Sequence, residues 1–271
     1  MILINGQAVV NVAASDRAVQ FGDGCFTTAR LWQGKVVMPE AHLRRLREAC
    51  HRLLIQHVDW DALRQEMMMA AATQNEGVIK VILSRGSGGR GYSASGCEQP
   101  TRIVSLSAYP AHYHQLRQTG ARLALSAIKL GRNPLLAGIK HLNRLEQVLI
   151  RTELEQTGAD ETLVLDTEGQ LVECCAANLF WRCKEQVFTP VLSDSGVNGI
   201  LRQWVIGTLQ QQGTPVSEVR VPPDVLAEAD EVLITNALMP ILPVSQIGNR
   251  LYCNRELFHQ LCEQDDLKGI L

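Results

Sequence analysis

The stretch Gly131-Arg-Asn-Pro-Leu-Leu-Ala-Gly-Ile-Lys140-His-Leu-Asn-Arg-Leu-Glu146, followed by Glu173 in Val172-Glu-Cys-Cys-Ala-Ala-Asn-Leu-Phe180, decides how this chain is read. A lysine placed where a strand or loop feeds a helix can hold an aldehyde cofactor covalently. A carboxylate held at a pyridine nitrogen keeps such a ring protonated as an electron sink, and together the two suit pyridoxal phosphate. Spacing alone does not carry the point, because most Lys…Glu pairs in a chain of this length are an exposed lysine and a solvated glutamate. The surrounding words do more: Gly138-Ile-Lys-His-Leu-Asn-Arg144, Glu173-Cys-Cys-Ala-Ala-Asn-Leu-Phe-Trp181, Gly196-Val-Asn-Gly-Ile-Leu-Arg202 and Thr235-Asn-Ala-Leu-Met-Pro240 occur in this order along one chain.

A chain of 271 residues buries a substantial core and has room for two lobes. A net charge of −2 with no Lys/Arg block argues against a nucleic-acid-binding surface, which depends on clustered positive charge. A small-molecule partner fits better. The start, Met1-Ile-Leu-Ile-Asn-Gly6, has no basic segment ahead of an apolar run, and no stretch nears the roughly 20 apolar residues that span a bilayer. A soluble, cytoplasmic protein with no membrane partner is expected. The 8 cysteines form no Cys-x-x-Cys pair and the 7 histidines no ligand-like spacing, so reduced and mostly buried thiols are expected, and a metal is not.

Turn signals at Asn5-Gly6 and Gln33-Gly34 separate extended runs at 1–4, 9–12, 24–31 and 35–38. Leu43, Leu46, Cys50, Leu53 and Leu54 recur at helical spacing, which predicts a helix over 40–55, with a second over 60–74 and strands over 78–84 and 102–108. Tyr109-Pro-Ala-His-Tyr-His-Gln115 has no clear period and contains proline. The connecting segment is therefore placed at 109–119, between a smaller N-terminal α/β domain (1–108) and a larger C-terminal one (120–271) that carries Lys140. There, strands are expected at 122–127, 162–165, 170–173, 178–182, 186–189, 216–221 and 231–235. Leu142, Leu145, Leu149 and Leu154 mark one helix, ending near Gly158, and residues 200–212 a second. The class is α/β, or mixed α+β, with the crevice between the lobes as the default ligand site.

The four words quoted above resemble the fold-type IV pyridoxal phosphate family, which includes the branched-chain and D-amino-acid aminotransferases, and the likeness runs from Asn5-Gly6 to about Val244. It implies a two-domain enzyme with its active site between the lobes, pyridoxal phosphate attached to Lys140, and Glu173 at the ring nitrogen. Gly199, Ile200 and Leu201 open a predicted helix, where unpaired N–H groups make a natural phosphate site, and the resemblance puts the cofactor phosphate there. His42-Leu-Arg-Arg-Leu46 matches the family's His-x-x-Arg-Leu at Arg45, leaving Arg44 on the solvated face; a guanidinium suits phosphate oxygens. Asn236 and Ala237 stand where relatives commonly carry a hydroxyl, so amide and backbone donors are expected to supply the third anchor.

Phe21-Gly-Asp-Gly-Cys-Phe26-Thr27-Thr28-Ala-Arg30 stands where the aminotransferases have a motif like Tyr-Gly-x-x-x-Phe-Glu-x-x-Arg. The tyrosine is phenylalanine here, and the glutamate is threonine. That departure resembles the family's lyase branch, which splits 4-amino-4-deoxychorismate into p-aminobenzoate and pyruvate and in which a threonine at the Thr28 position is associated with catalysis. A hydroxyl can protonate a departing oxygen. Strand propensity also accounts for threonines, and for Thr27 both readings stay open. Arg85-Gly-Ser-Gly-Gly-Arg90-Gly-Tyr92 lacks the Walker lysine. It resembles the substrate-carboxylate loop of D-amino-acid aminotransferases, with Arg90 and Tyr92 at the polar positions. The resemblance also implies a homodimer, the commonest soluble assembly. An aminotransferase acting on D- or branched-chain amino acids would share Lys140 and Glu173, and a non-catalytic cofactor carrier would need neither Thr28 nor Arg90.

Overall fold

Alternation along Gly24–Trp32 sets up the N-terminal part of the computed structural model, which describes residues 1–264 and Leu267. Five antiparallel strands, β1 (Ile2–Ile4), β2 (Gly24–Trp32), β3 (Lys35–Val36), β4 (Glu76–Ser84) and β5 (Thr101–Ser107), lie in the order β1-β5-β4-β2-β3. On β2, Cys25, Thr27, Ala29 and Leu31 are buried on one face, as the two-residue period of a strand requires. Three helices belong with this sheet: α1 (Arg17–Phe21), α2 (Pro39–Arg52) and α3 (Trp60–Ala71). Proline at the start of α2, Glu40 in its first turn and His51 and Arg52 in its last suit the helix dipole, and His42, Leu43, Leu46, Ala49 and Cys50 form its buried stripe. Asp59 caps α3 by accepting the Ala62 N–H at 2.9 Å.

The remaining elements are α4 (His112–Thr119), β6 (Ala121–Leu125), α5 (Leu145–Leu154), β7 (Glu161–Leu165), β8 (Leu171–Cys174), β9 (Asn178–Cys183), β10 (Gln186–Pro190), α6 (Ile200–Gln211), β11 (Val216–Val219), a 3-10 turn at Pro223–Glu228, β12 (Glu231–Thr235), β13 (Leu242–Ile247), β14 (Arg250–Leu251) and α7 (Glu256–Cys262). Their strands form one mixed sheet in the order β11-β10-β9-β12-β13-β6-β7-β8, with β14 paired to β13. Every residue of β7, β8 and β12 is buried, which accounts for their nearly unbroken apolar runs. Leu163, Leu171, Leu179, Trp181 and Ile234 pack in the main core, while Val164 and Val172, pointing the other way, join Leu130 and Ile150 in a second cluster. Among the described residues no helix is long and apolar enough to cross a membrane.

The chain divides into two compact units, Met1–Tyr109 with Lys140–Asn143, and Pro110–Ile139 with Arg144–Leu271. Several details differ from the sequence expectation. The segment 109–119 is not a plain connector, since α4 occupies most of it and belongs to the second unit. Lys140 belongs by its contacts to the first unit, because the main chain around it hydrogen-bonds to β2. Residues 9–12 form no strand, for Val10 is 74% exposed and the run finds no ladder partner among the described residues. The leucine period over 142–154 overstates the buried face of α5: Ile150 and Leu154 are buried, whereas Leu145 and Leu149 are exposed. All 8 cysteines are free thiols, but only Cys25, Cys50 and Cys174 are fully buried.

Candidate active site

In the first unit the Phe26 N–H donates to the Lys140 carbonyl at 2.9 Å and the Leu142 N–H to the Gly24 carbonyl at 3.0 Å, so the lysine segment runs antiparallel to the start of β2. This pairing sets the half-buried Lys140 with its Nζ 4.8 Å from the centre of the Phe26 ring. A second ammonium, Lys80 Nζ, lies 4.9 Å from the same ring, and its residue stands opposite Thr28 in the β2–β4 register. Both contacts are cation–π geometry. Thr28 is half-buried on the Phe26 face. Thr27 points the other way, is fully buried, and its Oγ1 is 2.6 Å from His42 Nδ1. That contact engages the Thr27 hydroxyl with a core histidine.

Burial, reinforced by the nearby Arg45 charge, pushes His42 down to about 3, so the imidazole is neutral near pH 7. Burial also lowers Arg45 to about 10 against the opposing pull of Glu48, which leaves it cationic. Arg45 is half-buried and Arg44 is exposed, in keeping with Arg45 as the inward residue of the pair. Arg90 and Tyr92 lie on an exposed loop, with the Tyr92 ring 5.5 Å from that of Phe21.

In the second unit Glu173 is buried on β8, and its Oε2 accepts the Val197 N–H at 2.9 Å. Gly138 grips the same loop from another side: its N–H donates to the Gly196 carbonyl at 2.9 Å, and its carbonyl accepts the Asn198 N–H at 3.1 Å. Burial lowers the pKa of Arg144, opposed by the charges of Glu173 and Glu146. Asn178 links this loop to α6 by donating to the Val197 carbonyl at 2.9 Å and accepting the Gly199 N–H at 3.1 Å. A Cβ at position 199 would come 2.0 Å from Asn178 Oδ1, which is why glycine stands there.

Among the described residues no side chain caps the N-terminus of α6, so its first N–H groups at Ile200 and Leu201 are suited to an anion. Thr235, opposite Asn178 in the β9–β12 register, carries a buried hydroxyl with no hydrogen-bond partner among the described residues. The Asn236 amide is less available than the sequence suggests. It donates to the Ala176 carbonyl at 3.0 Å and accepts the Leu238 and Met239 N–H groups at 2.8 and 2.9 Å, closing its own turn and leaving the backbone of Asn236 and Ala237.

Each unit carries groups of the kinds pyridoxal phosphate takes: in the first, an amine suited to its aldehyde and an arginine suited to its phosphate; in the second, a buried carboxylate suited to its ring nitrogen and an uncapped helix start suited to an anion. Among the described residues no group of three or more His, Cys, Asp or Glu side chains is arranged to hold a metal ion. Lys80, Asn178 and Thr235 are the residues that sequence reasoning passes over. Lys80 left one trace, a lone charge in the apolar run Val78-Ile-Lys-Val-Ile-Leu83; the other two depend on register.

The family model for class IV amino-transferases matches residues 24–247. An aminodeoxychorismate lyase from Vibrio harveyi is 39% identical over 248 residues, covering 92% of this chain and 92% of the relative. A solved 4-amino-4-deoxychorismate lyase from Pseudomonas aeruginosa matches with a TM-score of 0.92 at 36% identity, covering 98% of this chain and 100% of that one. A D-alanine aminotransferase from Listeria monocytogenes is 28% identical over 256 residues, 91% of this chain and 87% of its own. By sequence and by fold, this chain belongs to the class IV amino-transferase family.

Proposed function

We propose that this protein is a pyridoxal phosphate-dependent carbon–oxygen lyase that converts 4-amino-4-deoxychorismate to p-aminobenzoate and pyruvate, a step of folate biosynthesis. The observation that carries the reading is the Phe26–Thr28 face of β2. There the hydroxyl of Thr28, opposite Lys80, shares a face with the Phe26 ring beside Lys140 Nζ, while the adjacent Thr27 is occupied by His42. The 39% identical lyase supports the same substrate.

When bound, the cofactor supplies an electron sink conjugated to the substrate amine. Lys140 would hold the cofactor through Nζ and, as a free neutral amine, would take the proton from the substrate C4. The Thr28 hydroxyl, or a water it orients, gives a proton to the oxygen leaving C3. Glu173, oriented by the bond it accepts from the Val197 N–H, would keep the ring nitrogen protonated by ion pairing. Arg45, the N–H groups of Ile200 and Leu201, and the backbone of the Asn236–Ala237 turn would bind the phosphate, while Gly199, whose own N–H is taken by Asn178, shapes the helix start. Arg90 and Tyr92 meet one substrate carboxylate, and Lys80 is suited to the other.

The enzyme is a cytoplasmic homodimer in this reading. An exposed apolar face on α5, made by Leu145, Val148 and Leu149, supports the dimer. The runner-up is a fold-type IV aminotransferase acting on D- or branched-chain amino acids, kept in view by the 28% identical D-alanine aminotransferase. Purified holoenzyme given 4-amino-4-deoxychorismate alone should release p-aminobenzoate and pyruvate in equal amounts over many turnovers. A need for added 2-oxoglutarate, with the cofactor accumulating in its aminated form, would point to the aminotransferase.

A further inference from the structure

We infer that Arg17 is the positioning residue for the glycine-rich loop that carries Arg90 and Tyr92, fixing the loop in the shape in which those side chains meet a substrate carboxylate. The inference rests on the loop assignment proposed above. Antiparallel strands such as β4 and β5 can be joined by two residues, yet residues 85–100 intervene here without regular structure. Connections of that length in compact folds usually serve a function. A loop that must present two particular side chains needs an anchor, and Arg17 has the geometry of one.

Arg17 begins a helix of only five residues, yet it is 4% exposed. Its guanidinium is directed at the loop's main chain. Nη1 donates to the Gly91 carbonyl at 3.0 Å and the Ser93 carbonyl at 3.1 Å, and Nη2 donates to the Tyr92 carbonyl at 3.4 Å. The Tyr92 side chain is meanwhile left 90% exposed, its ring tilted against Phe21, over which the Arg17 guanidinium also sits at 4.8 Å. Gly89 lets the chain fold back so closely, at φ +72°, that a Cβ there would come 2.0 Å from the Ser93 carbonyl oxygen and 3.3 Å from Arg17 Nη1.

The anchor is itself braced. Asp23 accepts Arg17 Nε at 2.8 Å and Arg85 Nε and Nη2 at 2.7 and 3.0 Å. Burial alone would raise the Asp23 carboxyl, but the bonds from Arg85 and Arg17 outweigh it and hold it below its usual value, so it stays charged. Arg85 ties the assembly to the end of α2 through the Leu53 and Leu54 carbonyls, each at 2.7 Å. Asp16, next to Arg17, accepts Ser84 Oγ and Thr101 Oγ1, each at 2.7 Å, clamping the two strand ends from which the loop springs. The positive charge of Arg17 is thus answered from inside the unit. Its role is to hold carbonyls, and Arg90 is the loop cation left facing solvent.

The test uses Arg17→Lys and Arg17→Met as holoenzymes. Amide hydrogen exchange over residues 88–95 and tryptic cleavage after Arg90 report the loop; KM and kcat on 4-amino-4-deoxychorismate report the site. For Arg17→Met, loop exchange and cleavage should quicken at least about tenfold. KM should rise about tenfold, the loss of roughly one charge-assisted hydrogen bond, with kcat changed less than about threefold and the cofactor spectrum intact. Arg17→Lys should fall between parent and Met. Should Arg17→Met fail to fold, Gly89→Ala displaces the Ser93 carbonyl from the guanidinium at an exposed position and should reproduce the looser loop and the raised KM. Parental exchange and KM in either folded variant would overturn the inference at Arg17 itself. An unchanged KM in Arg90→Ala, beside a loosened loop in Arg17→Met, would overturn it instead through the loop assignment on which it rests.

Discussion

Two adjacent arginines on α2 differ in what surrounds them. Arg44 is exposed, whereas Arg45 is half-buried and lowered by burial to about 10 while remaining charged. A cation held partly out of water is well placed for an anion. Arg45→Ala should therefore weaken pyridoxal phosphate binding by about 1.5–3 kcal/mol, and Arg44→Ala should leave it unchanged. Fluorescence titration of the apoenzyme compares the two, and the reverse result would shift the motif register by one residue. His42 gives a pH prediction. Its folded value of about 3 lies below its ordinary 6.5, so between these values the unfolded chain binds a proton that the folded chain does not. The histidine's contribution is complete above about pH 6.5 and is lost as pH falls toward 3, at up to about 1.4 kcal/mol per pH unit. In urea melts, His42→Gln should flatten the stability slope between pH 6 and 4; an unchanged slope would leave the carboxylates as its whole cause. Motif words in the sequence name Lys140, Glu173, Arg45 and the Gly199 helix start as candidates. Lys80 lies outside those words, and Asn178 and Thr235 lie inside them without an assigned role, because each acquires its meaning from a cross-strand partner some tens of residues away.

Element by element, the sequence marks best those segments whose hydrophobic period is complete. β2, β4, β12, α2 and α6 lie within a few residues of where alternation or helical spacing puts them. The helices α1, α4 and α7 are too short to display a full apolar period; α1 is defined instead by the Asp16 cap and by Gly22 in the left-handed region at φ 63°. At the start of α6, the proposed phosphate site, glycine is required by a close approach and not by a turn. Gly199→Ala should push Asn178 off both the Val197 carbonyl and the Gly199 N–H, moving the donors of the helix start. Cofactor affinity should fall about tenfold or more, and the apoenzyme should lose about 1–2 kcal/mol in denaturant melts. Gly207→Ala in the same helix is the control. A Cβ there meets nothing within 4 Å, so the apoenzyme should gain about 0.5–1 kcal/mol with cofactor affinity unchanged. Equal losses in both variants would mean that α6 responds to substitution generally and that position 199 has no special part.

At the scale of the whole molecule, the two sheets and their strand orders belong to what a pattern of helices and strands cannot disclose. Alternation says which face of a strand is buried; it does not say that β6 lies between β13 and β7, or that four residues around Lys140 group with a sheet begun more than a hundred residues earlier. Apolar residues left exposed on one chain carry a further consequence. Leu145, Val148 and Leu149 lie at i, i+3 and i+4 on α5, share a helix face, and are 78%, 58% and 57% exposed. Soluble proteins seldom leave such a stripe uncovered, and a second copy of the chain is its proposed cover. The parent protein should sediment at twice its 30.0 kDa chain mass. The double variant Leu145→Glu, Leu149→Glu places two like charges on that face, and burying four carboxylates unpaired in the interface of a dimer would cost several kcal/mol. It should sediment as a monomer with its far-ultraviolet circular dichroism unchanged. A dimer that persists at micromolar concentration would assign the interface to another surface, and a parent that is monomeric at that concentration would remove the dimer from the proposal.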